Sequence, residues 1–137
     1  MRVLLADGHA RVRRALRMFI AEVPELRIVG EAWDADALLR EALTLQPDLI
    51  LLDWELRGMP AGKPIAALRG LNLSARVIVL SWRPDSERGA LAAGADGFVS
   101  KASGPERLLT VMRRLMRGEI EHETLGGSSA DRDLSRR

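Results

Sequence analysis

PDLILLDWELRGMPAG, residues 47–62, decides the fold. Pro47 stops any helix that precedes it. Residues 48–52 (DLILL) then run almost wholly apolar, without polar alternation, as a strand buried on both faces does. The run ends on Asp53, and RGMPAGK, residues 57–63, follows as a Gly/Pro loop. A doubly buried strand that stops on a carboxylate implies a parallel sheet with a polar site at its carboxyl edge.

The flanking sequence repeats the unit. Arg2–Ala6 (RVLLA) reads as a first strand, and residues 10–22 read as a helix with Val12, Leu16, Phe19 and Ile20 at helical spacing. A second strand covers residues 26–31, after a turn at Pro24. Asp34 caps a helix over Ala35–Leu45. Beyond the loop come a short helix at 65–71, a strand at 76–80 and a helix at 84–93 entered through Pro84 and closed by Gly94. Gly97–Ser100 is the fifth strand, and Pro105 opens a last helix that stops at Gly118. Strands alternating with helices predict an α/β fold: a flavodoxin-like, doubly wound five-stranded parallel sheet of order 2-1-3-4-5 in three layers, α/β/α. The domain occupies residues 1–118. Residues 119–137, polar and rich in Gly and Ser, read as a tail or linker.

Composition narrows the function classes. The 137 residues are 47% hydrophobic and 29% charged, ordinary for a globular domain. No apolar run approaches the length of a membrane span, and the amino terminus lacks a signal-peptide layout. There is no cysteine, which excludes disulfides and thiolate chemistry and suits the cytoplasm. Residues 1–118 carry 18 basic against 14 acidic side chains, too small an excess to argue for nucleic acid. With no helix-turn-helix after residue 118, direct nucleic-acid binding by this chain is not expected.

Four polar residues follow strands: Asp7, Asp53, Ser81 and Lys101. In a parallel sheet they converge at one edge. Two carboxylates, a hydroxyl and an ammonium suit a phosphoryl group and a divalent cation. Lys101 is one of two lysines among 21 basic residues, which favours a role arginine does not fill.

LLADGH, PDLILLDWELRGMPAG, VIVLS and AGADGFVSKASGPERLL together resemble the receiver domain of two-component response regulators, nearest to the NarL/LuxR type, over residues 1–118. The resemblance implies a CheY-like signalling domain without enzyme activity of its own. A sensor histidine kinase or phosphotransfer protein would phosphorylate it in the cytoplasm, and it would dimerise or dock a partner in response. It implies Asp53 as phosphoacceptor, with Ser81 and Lys101 contacting the phosphoryl group and Phe98 as the aromatic that packs behind the switch. It implies a Mg²⁺ site from Asp7 and Asp53, completed by the backbone carbonyl of Glu55. The sequence also departs from the family. Gly8 stands where a second acid is usual, which predicts weak Mg²⁺ binding. Trp82 stands where a small residue is usual and is expected to crowd the pocket. Ala102 replaces a common proline. A Glu55 carboxylate turned into the site would compensate for Gly8.

Blander and rival readings stand beside these. His9 reads as a surface histidine at a helix start, and Arg11, Arg13, Arg14 and Arg17 as a solvated face. Trp33, Trp54 and Trp82 read as packing and rim residues. Leu109, Met112 and Met116 read as an apolar stripe open to a partner. A degenerate receiver would bind partners without phosphorylation. DGH also resembles a cobalamin-binding motif, although Val12 replaces its glycine. An aspartyl-phosphate phosphatase would need a D-x-D pair, which Asp53-Trp54-Glu55 matches loosely.

Overall fold

A computed structural model describes residues 1–118; the expected tail, residues 119–137, lies outside the described residues. In chain order the elements are β1 (Arg2–Ala6), α1 (Ala10–Ile20), β2 (Arg27–Ala32), α2 (Ala35–Leu45), β3 (Leu49–Asp53) and α3 (Lys63–Gly70). Then come β4 (Arg76–Ser81), α4 (Glu87–Ala92), β5 (Gly97–Ser100) and α5 (Pro105–Met116). The five strands form one parallel sheet in the order β2-β1-β3-β4-β5. The predicted architecture is therefore the observed one.

Period-two alternation within buried strands builds two cores. Leu4, Ala6, Ile50, Leu52, Val77, Val79 and Phe98 point to the layer of α2, α3 and α4. Val3, Leu5, Leu49, Leu51, Ile78, Leu80 and Val99 point to the layer of α1 and α5. Every residue of β3 is buried, as its unbroken apolar run requires.

Local chemistry sets most boundaries. The Asp34 carboxylate accepts a hydrogen bond from Ala37 N at 2.8 Å and starts α2 where expected. Gly94, at φ +106°, takes the left-handed conformation between α4 and β5. Besides shifts of one or two residues at the ends of β2, α3 and β4, three details differ from expectation. The helix expected over 84–93 begins as a single 3₁₀ turn at Pro84–Ser86 and becomes α-helical only at Glu87. The helix over 10–22 ends at Ile20. Strand β3 extends through Asp53, placing that carboxylate within the sheet ladder opposite Leu80.

Two surface readings are corrected. Met112 is fully buried against the sheet, so it is core and does not belong to an open stripe; Leu109 and Met116 pack partly buried beside it. Arg13 is not merely solvated. Its Nε donates to Glu31 Oε1 at 3.1 Å, its Nη1 donates to the Asp7 carbonyl at 2.8 Å, and its guanidinium lies 5.5 Å from the Trp33 ring centroid. Arg17 joins Glu31 at 2.7 Å.

Candidate functional site

Parallel order brings the carboxyl ends of β1, β3, β4 and β5 side by side, and the expected residues meet there. Asp7, Asp53 and Ser81 are the buried polar residues of the described chain, and the Lys101 side chain is 3% exposed. Lys101 Nζ lies 2.7 Å from Asp7 Oδ2 and 3.2 Å from Asp53 Oδ1. One ammonium thus bridges two carboxylates that lie 46 residues apart in the sequence. The contact leaves Asp7 Oδ2 and Lys101 Nζ without a hydrogen bond of good geometry, so both atoms keep unused capacity in a buried place.

Ser81 is placed one link away. Asp53 Oδ1 accepts from Glu55 N at 3.1 Å, and the Ser81 hydroxyl reaches Glu55 Oε2 at 3.4 Å. Ser81 Oγ in turn accepts from Arg83 N at 3.1 Å. Across the ladder Ser81 pairs with Ser100, next to Lys101. Phe98 is buried in the core under α4.

Glu55 does not stand with Asp7 and Asp53. Its residue is exposed and its carboxylate is turned to Ser81. The third group beside the two aspartates is His9, not the plain surface histidine that its place at a helix start suggests. His9 Nδ1 lies 3.0 Å from Asp7 Oδ1 and 3.8 Å from Asp53 Oδ2, although the side chain as a whole is 63% exposed. The local cause is a tight turn in which His9 N donates to Asp7 Oδ1 at 2.8 Å while His9 serves as the residue before α1. The signal available in the sequence was its position two residues beyond a strand-end aspartate. Asp7, His9 and Asp53 present one donor atom each within 4.8 Å of one another, a set able to hold a divalent cation.

Gly8 supplies no carboxylate, and space does not force a glycine there. A Cβ at position 8 would stand 3.4 Å from the Trp33 carbonyl oxygen, an ordinary contact at a backbone angle open to other residues. Trp82 is 56% exposed and lines an apolar groove between α1 and α5 with Leu16, Phe19, Lys101 and Pro105. No cis peptide occurs among the described residues.

A family profile described as the response regulator receiver domain matches residues 3–113. The chain belongs to the response regulator receiver domain family. It is 36% identical over 120 residues to the nitrate/nitrite response regulator protein NarL of Escherichia coli, a match that covers 86% of this chain and 56% of NarL. It is 30% identical over 126 residues to the transcriptional regulatory protein LiaR of Bacillus subtilis, covering 90% of this chain and 60% of LiaR. The chain thus spans little more than half the length of these relatives. Its structure is similar to the signal receiver domain of the response regulator NarL from Mycobacterium tuberculosis, with a TM-score of 0.79 and 30% identity, covering 86% of this chain and 97% of that one. The receiver fold and its two-component class are therefore established, and neither cobalamin binding nor phosphatase activity has support. No described helix is long and apolar enough to cross a membrane.

Proposed function

We propose that this receiver is a phosphorylation switch with Asp53 as the acceptor. The observation that carries the reading is the Lys101 ammonium shared between two buried carboxylates at the sheet edge. A donor phosphohistidine, on a sensor kinase or phosphotransfer protein, gives up its phosphoryl group. The P–N bond breaks, a bond forms from phosphorus to a carboxylate oxygen of Asp53, and the donor imidazole keeps the electron pair. Lys101 moves with the new negative charge. The Ser81 hydroxyl leaves Glu55 for a phosphoryl oxygen, and Phe98 follows it in the adjoining core. The surface of α4, β5 and α5 then shifts between two populations, read as dimerisation or partner docking.

The donor set at Asp7 and Asp53 fits a divalent cation, with Glu55 offering its backbone. A bound cation supplies charge that offsets the phosphoryl oxygens. The domain is then acted upon rather than catalytic toward other substrates. A protein-glutamate methylesterase of Geobacter sulfurreducens is a relative, yet this chain spans only 38% of it. The reading places the domain in the cytoplasm with its kinase.

Incubation with acetyl phosphate or phosphoramidate and a divalent cation, followed by intact-mass measurement, tests the proposal. One added phosphoryl group on the wild-type chain and none on Asp53→Asn is expected. Unlabelled wild type, under conditions that label another receiver, refutes it in favour of a receiver that binds partners without phosphorylation. Labelling gained by Gly8→Asp would then locate the defect.

A further inference from the structure

We infer that Asp7, His9 and Asp53 form a mixed nitrogen and oxygen site that selects a first-row transition cation, of the Co²⁺ or Zn²⁺ kind, over Mg²⁺. The inference deepens the reading of this site by naming the class of its cation.

The carboxylate oxygens are divided between two neighbours. Asp7 Oδ2 and Asp53 Oδ1 face Lys101, at 2.7 and 3.2 Å. Asp7 Oδ1 and Asp53 Oδ2 face His9 Nδ1, at 3.0 and 3.8 Å. The oxygens that Lys101 leaves open are thus the ones the imidazole approaches. Donors bound at about 2.1 Å to one cation lie about 3.0 Å apart in cis octahedral positions and about 3.4 Å apart in a tetrahedron. The two His9 distances bracket these separations, so the imidazole stands from each carboxylate at about the spacing of a co-ligand. His9 would ligate through Nδ1 in the neutral tautomer with its proton on Nε2.

The chemistry of the donors sets the preference. Mg²⁺ takes oxygen and sheds water reluctantly, so it gains from a third carboxylate, which Gly8 does not provide. Imidazole contributes little to Mg²⁺ but binds Co²⁺, Ni²⁺ and Zn²⁺ well. Replacing an acid by glycine while an imidazole stands at the same cluster exchanges a hard site for a borderline one. The partly exposed His9 edge leaves remaining positions open to water or a phosphoryl oxygen.

The test uses the full chain carrying His122→Ala, which leaves His9 as the sole imidazole. Dissociation constants for Co²⁺, Zn²⁺ and Mg²⁺ are measured by calorimetry, and Co²⁺ ligation by visible absorption, with no phosphoryl donor present. Co²⁺ is expected to bind about 100-fold more tightly than Mg²⁺, as a site with an imidazole ligand should. His9→Ala is expected to lose about tenfold in Co²⁺ affinity while Mg²⁺ affinity stays within about twofold. His9→Asp keeps a good helix-starting residue and restores a third carboxylate, so it is expected to strengthen Mg²⁺ binding and weaken Co²⁺ binding. Thermal melts establish that each variant is folded. Co²⁺ affinity unchanged in both His9 variants, or Mg²⁺ bound by the parent as tightly as Co²⁺, overturns the inference. Because no phosphoryl group is involved, failure of labelling at Asp53 leaves this result standing, and the converse holds.

Discussion

Replacing Lys101 by methionine removes the ammonium between Asp7 and Asp53 and keeps most of the side-chain volume. All three groups are nearly inaccessible, at 3%, 1% and 2% side-chain exposure, so solvent screens them little. Breaking a buried pair from one side costs about 3–5 kcal/mol. The geometry gives a consistent figure. The two carboxylates offer oxygens within 4.8 Å of each other, and two like charges at that separation repel by about 3.5 kcal/mol at an effective dielectric of about 20. With a urea slope of about 1.5 kcal/mol/M for a domain of this size, Lys101→Met should lower the unfolding midpoint by about 2 M. Adding Asp7→Asn removes one of the repelling charges and should recover about half of the loss. Equilibrium urea unfolding at neutral pH, followed by circular dichroism, reads both variants. A midpoint within about 0.3 M of wild type for Lys101→Met, equivalent to about 0.5 kcal/mol, would refute the claim that the ammonium neutralises a buried acidic pair.

Two further outcomes are expected. Met112→Ala should destabilise the fold by about 2–5 kcal/mol, because the side chain is fully buried between α5 and the sheet; intact stability with lost self-association would instead put Met112 on a surface. The Glu25 carboxyl is held below its ordinary value first by a hydrogen bond from its own backbone; desolvation opposes this in part, and the charge and hydrogen bond of Arg113 lower it further. A lowered folded-state value contributes stability that is present above the unfolded value and lost as pH falls through the folded one. The pair is exposed, so the expected readout is the titration itself: Arg113→Ala should raise the Glu25 midpoint in a carboxyl-carbon NMR titration, and an unmoved midpoint would show that the 3.3 Å contact does not form in solution.

Sheet order, the three-layer arrangement and the strand-end positions of Asp7, Asp53, Ser81 and Lys101 were legible in the chain because they follow from the alternation of strand and helix patterns. An apolar run such as residues 48–52 tolerates only a doubly covered strand, and parallel strands put their last residues on one edge. Asp34, Gly94 and Pro105 mark element ends by the hydrogen-bonding and torsional limits of their own residue types. The roles of His9, Arg13, Met112 and Glu55 were decided by tertiary structure alone. Each depends on a partner distant in sequence and on the direction a side chain takes when that partner is near. His9 reads as solvent-facing until β3 sets Asp53 beside Asp7, and Glu55 reads as an acid for the metal until Ser81 on the next strand offers it a hydroxyl. Periodicity specifies which face of an element is buried. Only packing specifies which atoms share the space at the sheet's edge, and a cation's preference depends on those atoms.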